Sequence, residues 1–221
     1  MMKKVVTVLT IIIFISSAIF GGIKRQTYTD ITHGEEYLKQ ISVAQLPYSI
    51  AESGMIGLEE MLSKSHYILA VKVIGDIQHR FQNDIQKVVI TGIYVGDKLS
   101  IGDEVYLYSD RWETDLGEEP YSIERGFVNI MDVDKEYLVF ADSVDKDIQT
   151  KETIIKLYSD YCITPIFCYS DKENVTVMGN TDMGSYVAYS EVKNNEFFAD
   201  SEETLQLMES LKMNMIKRYP R

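Results

Sequence analysis

Cysteine is scarce in this chain, which has only Cys162 and Cys168 in 221 residues. So few thiols exclude a scaffold held by several disulfides, and a chain of this length buries enough apolar surface to fold without them. The two cysteines lie in a β-like run, where an extended strand would separate them by roughly 20 Å, far beyond disulfide reach. A turn at Pro165 would bring them together, so two buried free thiols and one bridge both stay open.

Basic side chains are also few, with 22 Lys and Arg against 34 Asp and Glu and a net charge of −12. Four of the basic residues, Lys3, Lys4, Lys24 and Arg25, precede every acidic one, so the rest of the chain carries 18 basic and 34 acidic side chains, a net charge of −16. Such a surface repels phosphate backbones and excludes nucleic acid as a partner. Cations, basic partners and cationic substrates stay open.

Motifs for catalysis and cofactor binding are absent. The three histidines, His33, His66 and His79, have no metal-site spacing, and there is no nucleophile elbow, P-loop, dinucleotide fingerprint or CxxC pair. Residues 132–136 carry acids at the first, third and fifth positions of a calcium loop, but Tyr137 stands where that loop needs glycine, so an ordinary turn is predicted. The sequence therefore predicts no catalytic residue, cofactor or metal site.

One long hydrophobic run is present, at residues 5–23, behind Lys3 and Lys4. Nineteen helical residues span roughly 28 Å, about the thickness of a bilayer core. The basic N-terminus predicts that the rest of the chain lies outside, in a single-pass cell-membrane protein. Small residues at 16–18 offer a cleavage site, so secretion after signal cleavage is the alternative. No cysteine lies near the end of the run, which excludes a lipoprotein anchor.

The pattern divides the chain into three parts: a signal anchor or signal peptide at 1–25, a linker at 26–55, and an extracytoplasmic β-rich domain with a C-terminal helix at 56–221. Period-2 alternation between turn residues predicts strands at 67–74, 85–95, 104–108 and 136–142, which indicates a small barrel or sandwich. Eight residues are predicted to face its interior: Val71, Val73, Val88, Ile90, Val105, Leu107, Leu138 and Phe140. Helices are predicted at 147–160 and after Asp200, where Asp200 and Glu203 have capping-box spacing and Ser201 is a second possible cap.

Four phrases in this region resemble a known group of domains. They are residues 65–73, residues 88–95 followed by Gly96-Asp97-Lys98-Leu99, Gly102-Asp103-Glu104-Val105, and Lys135-Glu136-Tyr137-Leu138-Val139-Phe140. They are similar to exported bacterial domains with an OB-type barrel, of the kind compared with the netrin and tissue-inhibitor-of-metalloproteinases module. Here Val95 replaces the lysine of the first turn, and Val133-Asp134 stands where a glycine would precede Lys135.

Residue patterns and the resemblance together predict a mainly β protein with flanking helices (α+β): the patterns give an N-terminal hydrophobic helix and a C-terminal helix, and the resemblance implies a small OB-like antiparallel barrel. Animal inhibitors of this fold act through a cysteine at the mature N-terminus. This chain has no such cysteine, so protease inhibition does not carry over.

An acidic stretch at residues 110–124 also holds the only tryptophan. Loops on a rigid barrel are common recognition sites, so a recognition loop is predicted at Asp110, Trp112, Glu113, Asp115, Glu118 and Glu119. The leading interpretation is a non-enzymatic, membrane-anchored protein that binds a protein or cell-envelope partner. The alternative is an envelope hydrolase or carbohydrate-binding protein that uses this loop. An enzyme would hold two of the carboxylates in a cleft, whereas a binding module would leave them in solvent.

Overall fold

A computed structural model describes residues 2–27, 41–80, 83–115, 122–148, 150–159, 161–179 and 186–221. The chain forms two compact units, residues 1–37 and 38–221. The described residues are mainly β, with a helix near each end. In chain order the elements are α1 (Met2–Thr27), β1 (Ser42–Ala44), α2 (Tyr48–Gly54), α3 (Leu58–Leu62), β2 (Tyr67–Arg80), β3 (Asn83–Val95), β4 (Glu104–Tyr108), β5 (Glu113–Asp115), β6 (Ser122–Glu124), β7 (Glu136–Lys146), β8 (Thr153–Leu157), β9 (Ile166–Cys168), β10 (Tyr186–Ala188), α4 (Tyr189–Val192) and α5 (Glu202–Arg218).

The first unit contains α1. Its stretch Val5–Ile23 has 19 residues, a mean hydropathy of 2.4 and no burial within the unit, and large side chains such as Phe14 and Phe20 are exposed. The stretch is long and apolar enough to cross a membrane. It is compatible with a membrane anchor or with a signal sequence.

The second unit is built on a barrel-like sheet. Strand pairing runs β2-β3-β4-β8-β7 and returns from β7 to β2, while β9 extends the sheet beyond β7. All of these pairs are antiparallel except β4–β8, which is parallel. The barrel is therefore mixed, whereas the sequence predicts a purely antiparallel one. Only three register pairs join β4 to β8, and the barrel is therefore not strictly closed along this side.

Strand register fixes which residues line the barrel. Val71 lies opposite both Ile90 and Tyr137, and directly opposed residues share one face of a sheet. The interior therefore includes Val71, Val73, Val88, Ile90, Val105, Leu107, Tyr137 and Val139, all at most 3% exposed. Six of the eight predicted interior residues lie on this face.

Leu138 and Phe140 are fully buried but lie on the opposite face, where they pair with Ala70 and Ile68. Their interior placement is wrong because β7 is apolar on both faces, so alternation gives no sign of which face turns inward. They belong to a second apolar layer outside the barrel. There the ring of Tyr219 packs edge-on against Phe140 at 5.8 Å.

A second sheet, β10-β1-β6-β5, lies at the acidic stretch. Its strand β1, together with α2, comes from residues assigned to the linker, so the folded unit begins before residue 56. Residues 28–40 of that linker lie outside the described part. Sequence patterning missed β1 because three residues are too few to show a period.

Side-chain amides take the place of a β-ladder between β9 and β10. Asn195 bonds both backbone groups of Val175, accepting from its N–H at 3.1 Å and donating to its carbonyl at 2.6 Å. Asn174 accepts from the backbone N–H of Glu196 at 2.8 Å. This extended segment is thus held without regular strand pairing, which explains why no strand forms at the residues near 174–178.

The predicted helix at 147–160 is wrong, because these residues form a turn and then β8. Lys151 has a φ of +63°, outside the helical range, and the Asp147 carboxylate accepts from the Thr150 N–H at 2.7 Å. Ile148 is exposed whereas Ile155 and Leu157 are buried, which is a strand period and not a helical one. The C-terminal helix is confirmed as α5, and Ser201 is its N-cap, accepting from the Thr204 N–H.

Replacing Ile90 by Ala should lower the free energy of unfolding by about 2–5 kcal/mol, because the side chain is fully buried in the barrel. Denaturant unfolding of the two proteins measures the difference. Ile101→Ala is the matched control, since Ile101 is 69% exposed and its truncation should change stability by less than about 0.5 kcal/mol. Equal losses at the two positions would contradict the assigned interior.

Candidate recognition surface

The acidic loop leaves β4 through a tight, anchored turn. Ser109 is fully buried, and its carbonyl accepts from the N–H of Trp112 at 3.0 Å. Arg111 donates from Nε to the carbonyl of Ser159 at 2.8 Å, which ties the turn to the chain beyond β8. The start of the loop is therefore fixed by backbone acceptors.

Beneath the loop lies a buried base formed by Asp84, Trp112 and Arg125. The Arg125 guanidinium lies 4.2 Å from the centroid of the Trp112 ring, and its Nη1 is 3.6 Å from Asp84 Oδ2. The two charged side chains are only 1% and 2% exposed, and Trp112 is fully buried. Removing one partner of a buried ion pair typically costs about 3–5 kcal/mol. The buried base thus joins Trp112, near the start of the acidic stretch, and Arg125, just after it, to β3.

The buried base continues the barrel interior. Asp84 and Gln86 have the same strand parity as Val88 in β3, so the lining of the barrel turns from apolar to polar toward the start of this strand. Gln86 Nε2 donates to the carbonyl of Met131 at 2.7 Å. Residues near the start of the acidic stretch and after it therefore pack at the polar end of the barrel, against Asp84 and Gln86.

Gly126 is required immediately after the base. Its φ is +59°, and a Cβ at this position would lie 2.4 Å from Thr164 Oγ1. That hydroxyl donates to the carbonyl of Arg125 at 2.7 Å. A larger residue would push away the segment that holds Arg125 in place.

Above the base, Asp110 lies at the surface between two partners. Its carboxylate accepts from the hydroxyl of Tyr108 at 2.5 Å and pairs with Lys156 Nζ at 2.6 Å. The hydrogen bond from Lys156, followed by that from Tyr108, holds the pKa of Asp110 below its ordinary value. Partial burial, with the neighbouring carboxylate, raises the pKa of Tyr108 to about 12.

The outward side of β3, β4 and β8 carries a second ion pair, between Lys87 Nζ and Glu104 at 2.6 Å. Tyr108 lies opposite Lys156 in the β4–β8 register. We call this surface the recognition face and define it by Lys87, Glu104, Tyr108, Asp110 and Lys156. It offers a phenol and alternating charges on rigid strands, which suits polar contacts with a folded partner.

The structure separates the predicted loop residues. Asp110 and Glu113 are exposed, whereas Trp112 is buried under Arg125, so its ring is not available for stacking on a ligand. Asp115 lies in β5 opposite Ser122, and Glu118 and Glu119 lie outside the described residues. The involvement of the loop in recognition stays a prediction, and Asp110 is the predicted residue that joins the recognition face.

Lys156 was missed because it fell in the predicted helix. The signal that could have found it is the run Thr153-Ile154-Ile155-Lys156-Leu157, whose β-branched residues favour a strand. Arg125 was missed because a fully buried arginine has no local sequence signal.

The other predicted features behave as ordinary structure. Asp132 pairs with Lys172 at 2.6 Å, and Asp134 has a φ of +67°, as expected for a turn. Within the described ranges, no group of three His, Cys, Asp or Glu is placed to hold a metal ion. Cys162 and Cys168 are free thiols, and burial raises the pKa of Cys162.

No protein-family model matches this chain, and no curated protein matches it either. Its candidate surface is therefore interpreted from geometry alone.

Replacing Asp110 by Asn should make the domain less sensitive to acid. Because the pKa of Asp110 is lowered in the folded protein, its stabilising contribution is present above the ordinary value of 3.8 and is lost as pH falls through the lower folded value. The stability difference between wild type and Asp110→Asn should therefore be steady from about pH 5 to 7 and shrink below about pH 4. Denaturant unfolding across this range measures it.

Lys156→Met provides the control, because the lysine is the main cause of the lowered pKa. In that background, Asp110→Asn should show a smaller acid-dependent difference. An unchanged difference would contradict the assigned cause.

Proposed function

We propose that this chain is a membrane-anchored, extracytoplasmic, non-enzymatic protein whose OB-like domain binds a protein or cell-envelope partner. The described fold is mainly β and contains a barrel-like sheet; the likeness to exported bacterial domains of the netrin-like type is part of the proposal. The binding assignment itself rests on the state of the surface carboxylates.

The observation that carries the proposal is that the side chains of Asp110 and Glu113 are both exposed to solvent. A glycosidase needs one carboxylic acid with a raised pKa as its proton donor. Asp110 has the opposite shift, because Lys156 stabilises its charged form. The ring of Trp112 is buried and offers no stacking platform for a sugar, so neither Asp110 nor Trp112 favours the hydrolase or carbohydrate alternatives.

Charge favours a basic partner. The chain beyond residue 25 carries a net charge of −16, which attracts cationic surfaces to this protein over long range. On the recognition face itself, each carboxylate is paired with a lysine, so close contact depends on matching pairs and not on bulk charge.

The anchor follows from α1. Val5–Ile23 is long enough to span a bilayer, and Lys3 and Lys4 with the amino terminus favour retention of the N-terminal end inside. The folded unit is then exported.

Protease added to intact protoplasts should remove the folded unit and leave a small membrane-bound stub. A unit that survives until the cells are lysed would contradict the proposed topology. A soluble mature protein that begins near Ile19 would show instead that the segment is a cleaved signal peptide.

Lys156→Glu should weaken capture of the partner by the intact, detergent-solubilised chain by about tenfold, the size of one well-placed interface contact. The matched control is Lys64→Glu, which breaks another exposed lysine–carboxylate pair, with Glu60 at 2.7 Å, away from the recognition face. Quantitative cross-linking from membranes measures both. Equal capture by the two variants would contradict the role of this face.

A further inference from the structure

The three residues after α5, which we call the tail (residues 219–221), lie against the outer side of the barrel. The hydroxyl of Tyr94 donates to the carbonyl of Pro220 at 2.5 Å, and that of Tyr169 donates to the carbonyl of Tyr219 at 3.1 Å. The two tyrosine hydroxyls lie 3.1 Å from each other. Two side chains from β3 and the end of β9 thus bind the backbone of the tail.

The guanidinium of Arg221 is bound through all three of its nitrogens. Its Nε donates to Glu136 Oε2 at 2.6 Å, Nη2 donates to Glu136 Oε1, and Nη1 donates to the carbonyl of Thr91 at 3.1 Å. A two-point contact between a guanidinium and a carboxylate is specific to arginine, because an ammonium group does not match its planar fork.

Small residues make room for this group. Ala70 and Gly92 are opposed in the β2–β3 register, and a Cβ on Gly92 would lie 3.2 Å from the Cβ of Ala70 and 3.8 Å from Arg221 Nη1. A larger residue at position 92 would fill the space beside the guanidinium. We call this site the arginine cradle and define it by Thr91, Gly92, Tyr94, Glu136 and Tyr169.

The cradle is open to exchange. The side chains of Arg221 and Glu136 are 38% and 30% exposed, and an exposed ion pair contributes little net stability. The hydrogen bond from Arg221 is the main cause that holds the pKa of Glu136 below its ordinary value, which shows that the site favours a guanidinium beside a charged carboxylate. Release of the tail would expose a site already built on two strands.

We propose that the arginine cradle is a binding site for an arginine-bearing basic segment of a partner protein, and that Arg221 occupies it as a built-in competitor. The net charge of −16 favours such a segment, and the tail shows the chemistry that the site accepts. This inference rests on the proposed binding function but uses residues other than those of the recognition face.

The test measures binding of a fluorescent peptide with the tail's own sequence, acetyl-Tyr-Pro-Arg-amide, to the full chain in detergent micelles. Arg221→Ala should bind this peptide at least about tenfold more tightly than wild type, because a tethered competitor has a high effective concentration. Adding Glu136→Gln to that variant should remove the gain, and a peptide with Gln in place of Arg should not bind. Fluorescence anisotropy gives each affinity.

Equal binding to Arg221→Ala with and without Glu136→Gln would overturn the proposal, as would equal binding to wild type and Arg221→Ala, or no binding to Arg221→Ala. Thermal unfolding checks that each variant is folded. If Arg221→Ala is not, Arg221→Lys keeps a charge while losing the two-point contact, and it should bind the peptide more tightly than wild type. Failure of the Lys156→Glu capture experiment would leave these outcomes unaffected, so the two proposals fail separately.

Discussion

The burial of β7 on both faces is the constraint on which the rest of the structure depends. Tyr137 and Val139 line the barrel, while Leu138 and Phe140 face the outer layer, so one strand supplies two apolar cores. A strand that is buried on both faces needs apolar residues at successive positions, which explains the continuous apolar run of β7. Packing of Tyr219 on Phe140 then couples the end of α5 to the barrel.

The buried base imposes a different constraint at the polar end of the barrel. Asp84 and Arg125 are removed from water, and such a pair is seldom more stabilising than an apolar substitute of the same shape. What it does is fix geometry, because the two buried charges pair with each other and the guanidinium lies against the ring of Trp112. The exposed Asp110 and Glu113 flank the buried Trp112 in the chain. Their backbone is therefore held in place, which lowers the entropy lost when their carboxylates make a contact.

Sequence reasoning succeeded where one face of a strand is polar and failed where both faces are alike. Alternation placed Val71 and Ile90 correctly, and cap residues located α5. Alternation assigned Leu138 to the wrong face, because a continuous apolar run does not show which alternate residues face the interior. The helix predicted at 147–160 is wrong because Asp147 forms a turn that ends any helical path, and the strand β8 follows it.

The candidate surfaces were harder to predict, because their members are distant in sequence. Lys156 meets Asp110 only after the chain has passed through β5, β6 and β7, and Arg221 meets Glu136 across 85 positions. Trp112 lies among carboxylates in sequence, which predicts a surface residue, yet a guanidinium from the far side of the loop covers it. No local pattern records such pairings, since they arise from topology.

Charge acts at two distances in this protein. From afar, the excess of acids attracts any basic surface and should do so less at high ionic strength, because salt screens beyond about 10 Å. At contact, however, Asp110, Glu104 and Glu136 already hold cations of their own chain. Under the proposal, a partner that binds here displaces a lysine or an arginine of the chain itself, and each such exchange adds little net affinity. In the proposed exchange, selectivity depends on which partner reproduces the geometry of the displaced cation, and Glu136 makes the strictest demand because its two oxygens accept from Nε and Nη2 of one guanidinium.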